Sequence, residues 1–149
     1  MPQSYASLHV HLVFSTKNRA PLIAPDRAER LHRYLGGIAR TADCPALVIG
    51  GMPDHVHLLV GLSRELAVSE IVRDLKANSS RWVREQFSGT PFGWQTGYGA
   101  FAVSQSNLAE VRRYIENQAE HHQRLSFQEE FRVLLERHQI SFDERYLWR

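Results

Sequence analysis

The stretch "GMPDHVHLLV", Gly51 to Val60, decides how this chain is read. It follows "ALVIG" (46–50), and the two apolar runs read as a β-hairpin. The first strand is Ala46 to Gly50, the turn is Gly51-Met52-Pro53-Asp54, and the second strand begins at His55. Strand side chains alternate with a period of two. Val56, Leu58 and Val60 therefore take one buried face, while His55 and His57 stand side by side on the other. Two imidazoles so placed lie within reach of one cation, and imidazole suits Zn, Mn, Fe or Ni. A hydrogen-bonded pair of ordinary strand histidines gives the same pattern. Asp54 either orients a histidine as a hydrogen-bond acceptor or is only the aspartate of the turn.

Working outward, "SYASLHVHLVFST" (4–16) alternates as a first strand. Leu8, Val10, Leu12 and Phe14 share one face, and His9, His11 and Val13 the other. A helix is predicted from Asp26 to Ala42, with Leu31, Leu35, Ile38 and Ala42 as its buried stripe. A second helix spans "AVSEIVRDLKANSSRWVREQF" (67–87), with Ile71, Leu75, Ser79, Trp82 and Val83 inward. A further strand is predicted near Ala100 to Val103. Asn107 with Glu110 reads as a capping box opening "LAEVRRYIENQAEHHQR" (108–124), and Ser126 with Glu129 as another. The latter helix turns Phe127, Phe131, Leu134 and Leu135 inward, and the tail "ISFDERYLWR" (140–149) is apolar enough to dock.

The order β-α-β-β-α-β plus C-terminal helices predicts a single α+β domain over 1–149. It is the split-βαβ arrangement, ferredoxin-like or RRM-like, around an antiparallel sheet. In that topology the first strand and the strand after the first crossover pair centrally, which puts the histidine strand near the middle.

Composition narrows the function classes. A chain of 149 residues with formal net charge +2 is mildly basic, compatible with a polyanionic partner. Cys44 is the only cysteine, so an intramolecular disulfide is excluded, and a cytoplasmic location is expected. The N-terminus lacks the basic-then-apolar order of a signal peptide. No apolar run approaches the ~20 residues of a membrane span, so no membrane association is expected.

A second cluster lies in the third helix. Tyr114, Gln118 and His121 fall at i, i+4 and i+7 along the border of an apolar side made by Leu108, Val111, Ile115 and Ala119. Tyr114 can reach a neighbouring sheet face from there, or pack as a boundary tyrosine with its hydroxyl in water. His122 reads as structural, and Arg112, Arg113, Glu116 and Glu120 as a solvated surface. Two imidazoles and an amide oxygen around a cation leave positions open for a phosphate. A nearby phenol is then a candidate nucleophile for phosphodiester transesterification.

On these motifs the chain resembles the single-tyrosine HUH transposases of small bacterial insertion sequences. REP-associated tyrosine transposases are close relatives of that group. The resemblance runs through "HLVFSTKNR", "GGMPDHVHLLV", "LKANSSRWV", "WQTGYGAFAVSQS", "YIENQAEHH" and "FQEEFRVLL". It implies that His55-Val56-His57 is the histidine–hydrophobic–histidine motif, Tyr114 the nucleophile and Gln118 the third metal ligand. It also implies a homodimer that recognises DNA hairpins and needs Mg2+ or Mn2+. Mn2+ fits mixed nitrogen and oxygen donors better, since Mg2+ prefers oxygen. Tyr114 would attack the scissile phosphate, keep the 5′ end and release a 3′-OH; another 3′-OH would then reverse the linkage. The ester conserves the bond energy, in keeping with the lack of a Walker loop.

Lys17, Arg19, Lys76, Arg81 and Arg84 are candidates for single-stranded DNA phosphate contact, and Trp94, Tyr98 and Phe101 for base stacking. His9 and His11 either line the site or sit at an edge. Three alternatives stand beside this reading. One is a non-catalytic RRM-like binder of single-stranded nucleic acid. Another is a plasmid-nicking or replication-initiating HUH nuclease. The third is a domesticated relative acting on chromosomal hairpins.

Overall fold

The computed structural model describes residues 4–89 and 91–148. Four antiparallel strands, β1 (His9–Ser15), β2 (Ala46–Met52), β3 (His55–Gly61) and β4 (Gly99–Val103), form one sheet in the order β2-β3-β1-β4. Helix α1 (Pro25–Thr41) joins β1 to β2, and α2 (Val68–Gln86) joins β3 to β4. Three further helices follow: α3 (Leu108–Glu116), α4 (Gln118–His121) and α5 (Phe127–Arg137). This is the split-βαβ α+β architecture expected. The histidine strand β3 is central, paired with β1 in a register that sets Val13 opposite His57 and Ser15 opposite His55. The strand reached by the first crossover, β2, is at the edge instead, because β3 returns from it as a hairpin and takes the place beside β1.

Alternation divides the core in two. Val10, Leu12 and Phe14 of β1, with Val56, Leu58 and Val60 of β3, pack against Leu31 and Leu35 of α1 and Ile71, Val72 and Leu75 of α2. The opposite face carries Val13 and Phe101, covered by Phe127, Phe131, Leu134 and Leu135 of α5. Leu147 and Trp148 of the tail dock on that second cluster, as the sequence suggested. Both faces of β1 are thus covered, which is why all its residues but His9 are buried.

Three local expectations change. The β2–β3 turn is only Pro53-Asp54, because β2 continues through Gly50 and Gly51 to Met52. Asn107 makes no side-chain capping bond; a 3-10 turn over Gln105–Asn107 runs straight into α3. The segment 108–124 is not one helix. Asn117, at φ −100° and ψ 29°, breaks it into α3 and α4, in keeping with the poor helix preference of a side chain that competes for backbone hydrogen bonds. The Ser126 box forms as expected, the hydroxyl accepting from Glu129 N.

The glycines of β2 allow close approach rather than a turn. A Cβ built on Gly50 would lie 2.4 Å from the Ile115 carbonyl oxygen of α3, and that obstacle is backbone. Gly50 therefore lets α3 lie directly on the edge strand, and Tyr114 precedes Ile115 in that helix. Gly50→Ala is expected to destabilise the fold by about 1–3 kcal/mol, measured as a lower midpoint in thermal or urea unfolding. An unchanged midpoint would mean that α3 is not seated on β2.

Candidate active site

Strand β3 presents His55 and His57 to the face covered by α5, and both rings are fully buried. Their centroids are 5.0 Å apart. Asp54 occupies the hairpin turn, held there by Thr16 N donating to its carbonyl oxygen at 2.9 Å. Its carboxylate Oδ1 also lies 2.7 Å from His55 Nδ1. A carboxylate only accepts, so that ring nitrogen carries the hydrogen. The two roles considered for Asp54 coexist.

Helices α3 and α4 bring Tyr114 and Gln118 over the same spot. Gln118 Oε1 lies 3.0 Å from His55 Nε2 and 3.1 Å from His122 Nε2. The centre of the cluster is a residue from α5. Glu130, only 2% exposed, sets its Oε1 3.0 Å from His57 Nε2, 3.3 Å from His55 Nε2 and 3.1 Å from His122 Nε2. Its other oxygen, Oε2, accepts a short hydrogen bond from the Tyr114 hydroxyl and a 3.1 Å bond from Gln118 Nε2. His11 completes the group, with Nε2 2.8 Å from His57 Nδ1.

Glu130 is absent from the sequence reading, and His122 enters it only as a structural residue. A signal existed for each. Glu130 is three residues after Phe127 and four before Leu134, so it is a charge on the buried stripe of α5. His122 continues the i, i+4 series of Tyr114 and Gln118, while His121 packs its ring 4.5 Å from that of Tyr114.

The electrostatics follow from burial around one carboxylate. Burial opposes charge on Glu130, but hydrogen bonds from His122, His55 and His57 outweigh it and hold the carboxyl well below the usual range. Burial likewise opposes an imidazolium at His55, yet the bonds to Asp54 and Glu130 and the charge of Glu130 push it up to about 9. Burial lowers His57 despite Glu130, and lowers His11 to about 3 with help from His57. Tyr114 is pushed upward by burial and by the charge of Glu130, so its phenol stays protonated.

The donor set fits a divalent cation. His55 and His122 each spend Nδ1–H on an oxygen, on Asp54 and on the Leu125 carbonyl at 2.6 Å. Each then turns Nε2 toward two oxygens, Gln118 Oε1 and Glu130 Oε1. A ring nitrogen facing only acceptors needs a proton or a metal. Nitrogen and oxygen donors with their outer N–H groups already fixed are what a metal site requires. His55, His122 and Glu130 also place their donor atoms within 4.8 Å of one another.

The candidate DNA contacts lie elsewhere. Lys76 is lowered to about 8 by burial, and its Nζ donates to the carbonyls of Gln95, Thr96 and Gly97 at 2.9, 3.2 and 2.6 Å. Arg81 bonds Asn78, Arg84 lies 3.5 Å from the Phe92 carbonyl, Arg19 sits over the Trp148 ring, and Lys17 is exposed. Of the candidate stacking aromatics, Phe101 is core, Trp94 donates to the Ser79 hydroxyl, and Tyr98 is exposed. His11 lines the site, whereas His9 does not reach it. A groove of about 270 Å³ bordered by His11, Asn107, Glu110, Arg137 and Tyr114 gives access to the phenol.

A family described as "Transposase IS200 like" matches residues 4–118. The ISDra2 transposase TnpA of Deinococcus radiodurans is 30% identical over 118 residues, 74% of this chain and 84% of that protein. A transposase for insertion sequence element IS200 from Salmonella typhimurium is 27% identical over 116 residues, covering 74% and 76%. Among solved structures, a chain from Deinococcus radiodurans described as a transposase aligns with TM-score 0.64 and 29% identity over 79% of this chain and 95% of its own. A REP-associated tyrosine transposase, solved bound to a REP hairpin, shares the fold with TM-score 0.56 at 13% identity, covering 78% and 70%.

Asp54→Ala removes the acceptor that fixes His55 with Nε2 inward. It is expected to weaken Mn2+ binding by about 10–100-fold, read by isothermal titration calorimetry. Unchanged affinity would leave the aspartate only its place in the turn.

Proposed function

The chain belongs to the IS200-like transposase family, and from that premise we propose that it cuts and rejoins single-stranded DNA at hairpin-marked ends through a phosphotyrosine at Tyr114. The observation that carries this reading is the meeting, within one chain, of the Tyr114 hydroxyl with His55, His57 and Gln118 around a common carboxylate. A phenol buried for packing alone has no use for such surroundings.

In the first half of the reaction the Tyr114 oxygen bonds to phosphorus as the P–O3′ bond breaks. The phenolic proton is lost and one is gained at the departing 3′ oxygen. In the second half another 3′ hydroxyl attacks the phosphotyrosine, and the phenol is restored. His55, His57 and Gln118 would hold a divalent cation, Mn2+ or Mg2+. When bound, that ion supplies charge neutralisation at the phosphoryl oxygens. The protein's own contribution is orientation: Glu130 fixes the phenol, Asp54 and His11 fix the two strand imidazoles, and burial keeps bulk water from the cluster. The resemblance further supports a homodimer that recognises folded hairpins.

A labelled single strand carrying a hairpin, incubated with the protein and Mn2+, is expected to give a protein–DNA adduct on a denaturing gel. Tyr114→Phe abolishes the adduct. His57→Ala abolishes cleavage while hairpin affinity in a shift assay stays within a few-fold of wild type. Hairpin binding without any adduct from the wild-type protein would reduce it to a nucleic-acid-binding module.

A further inference from the structure

The separations within the cluster have a pattern that two strand histidines and one glutamine do not account for. His55 Nε2 to Gln118 Oε1 is 3.0 Å, Gln118 Oε1 to His122 Nε2 is 3.1 Å, His122 Nε2 to Glu130 Oε1 is 3.1 Å, and Glu130 Oε1 back to His55 Nε2 is 3.3 Å. The four atoms form a closed ring of nearly equal edges. An octahedral ion with bonds of about 2.1 Å places adjacent donors about 3.0 Å apart. One donor atom each of His55, His122 and Glu130 lies within 4.8 Å of the others, compatible with a ring of that size. His57 Nε2 joins at the Glu130 corner, at 3.0 Å.

We propose that His122 and Glu130 are themselves ligands of the divalent cation, closing a four-donor ring with His55 and Gln118. We infer further that Glu130 ties that ion to the nucleophile through its second oxygen. This rests on the cation-dependent reading above and deepens it. Both residues follow the span that the family match covers, which ends at 118. The chemistry of the pair suits the role. His122 has its other ring nitrogen fixed on the Leu125 carbonyl. Glu130 adds the one carboxylate to a set otherwise made of neutral donors, which favours a harder ion such as Mn2+ over a soft one. A buried carboxylate also needs compensating positive charge, which the cation supplies. Because Oε2 remains on the Tyr114 hydroxyl, the same side chain holds the phenol beside the ion.

The test uses the full chain without DNA, so it is independent of whether a given hairpin is cleaved. Mn2+ affinity is measured calorimetrically for wild type, E130M and H122N, with folding checked by circular dichroism and thermal midpoint in EDTA. At least tenfold weaker binding is expected for each variant. Pulsed electron paramagnetic resonance of bound Mn2+ should show one coupled imidazole nitrogen fewer in H122N than in wild type, a change that a merely structural histidine would not cause. Affinity within threefold of wild type in E130M, or an unchanged nitrogen count in H122N, overturns the proposal. If E130M does not fold, H122N alone decides. Wild-type protein that binds no Mn2+ at all instead removes the cation-dependent reading on which the proposal rests.

Discussion

The buried carboxylate of Glu130 is the constraint on which the rest of the site depends. An ionised group 2% exposed is tolerated only if its lone pairs are met. Glu130 itself comes from α5, and its oxygens are met from two directions: strand β3 supplies two imidazoles, and the segment of α3, α4 and the residue after it supplies a phenol, an amide and a third imidazole. None of these elements neighbours all the others in sequence. Their meeting is the product of a sheet whose second face is covered by the C-terminal helices.

The same carboxylate sets the resting state of the phenol. A negative charge accepting from the Tyr114 hydroxyl makes a phenolate costly, so the phenol is held oriented but protonated. The imidazole chain behind it has a matching flexibility. His11 and His57 share one hydrogen bond and both are kept neutral by burial. A neutral imidazole either donates or accepts, so the proton can sit on either ring of the pair. His57 can therefore offer Nε2 as a donor hydrogen to Glu130 or as a lone pair, with His11 taking the complementary form.

Much of this was legible in the sequence, for reasons that differ by element. Period-two alternation is unambiguous in "LHVHLVF" and "HVHLLV", and it placed His55 and His57 on one face. The helical stripe of Tyr114 and Gln118 was equally readable. The loss of a continuous helix at Asn117 was not, because a single residue outside helical angles leaves hydrophobic periodicity almost unchanged. Glu130 escaped because Glu129, one residue away, had already explained an acidic residue at the start of α5. Only the position of Glu130 on the Phe127–Leu134 side distinguishes a charge that must be buried from one that caps. Lys76 shows the converse limit: a lysine on a helix reads as a surface cation, and nothing in its neighbours announces three carbonyls from the segment before β4.

The cover over the second sheet face comes from elements that follow the last strand: α3 on β2 and β3, and residues 127–137 and 147–148 over Val13 and Phe101. Chains emerge from the ribosome N-terminus first. The four strands and both crossover helices are thus synthesised while Val13, Phe101 and the paired imidazoles still face water. The cluster consequently comes together only once α5 has emerged, and a product truncated before residue 130 would carry Tyr114 without the carboxylate that anchors it.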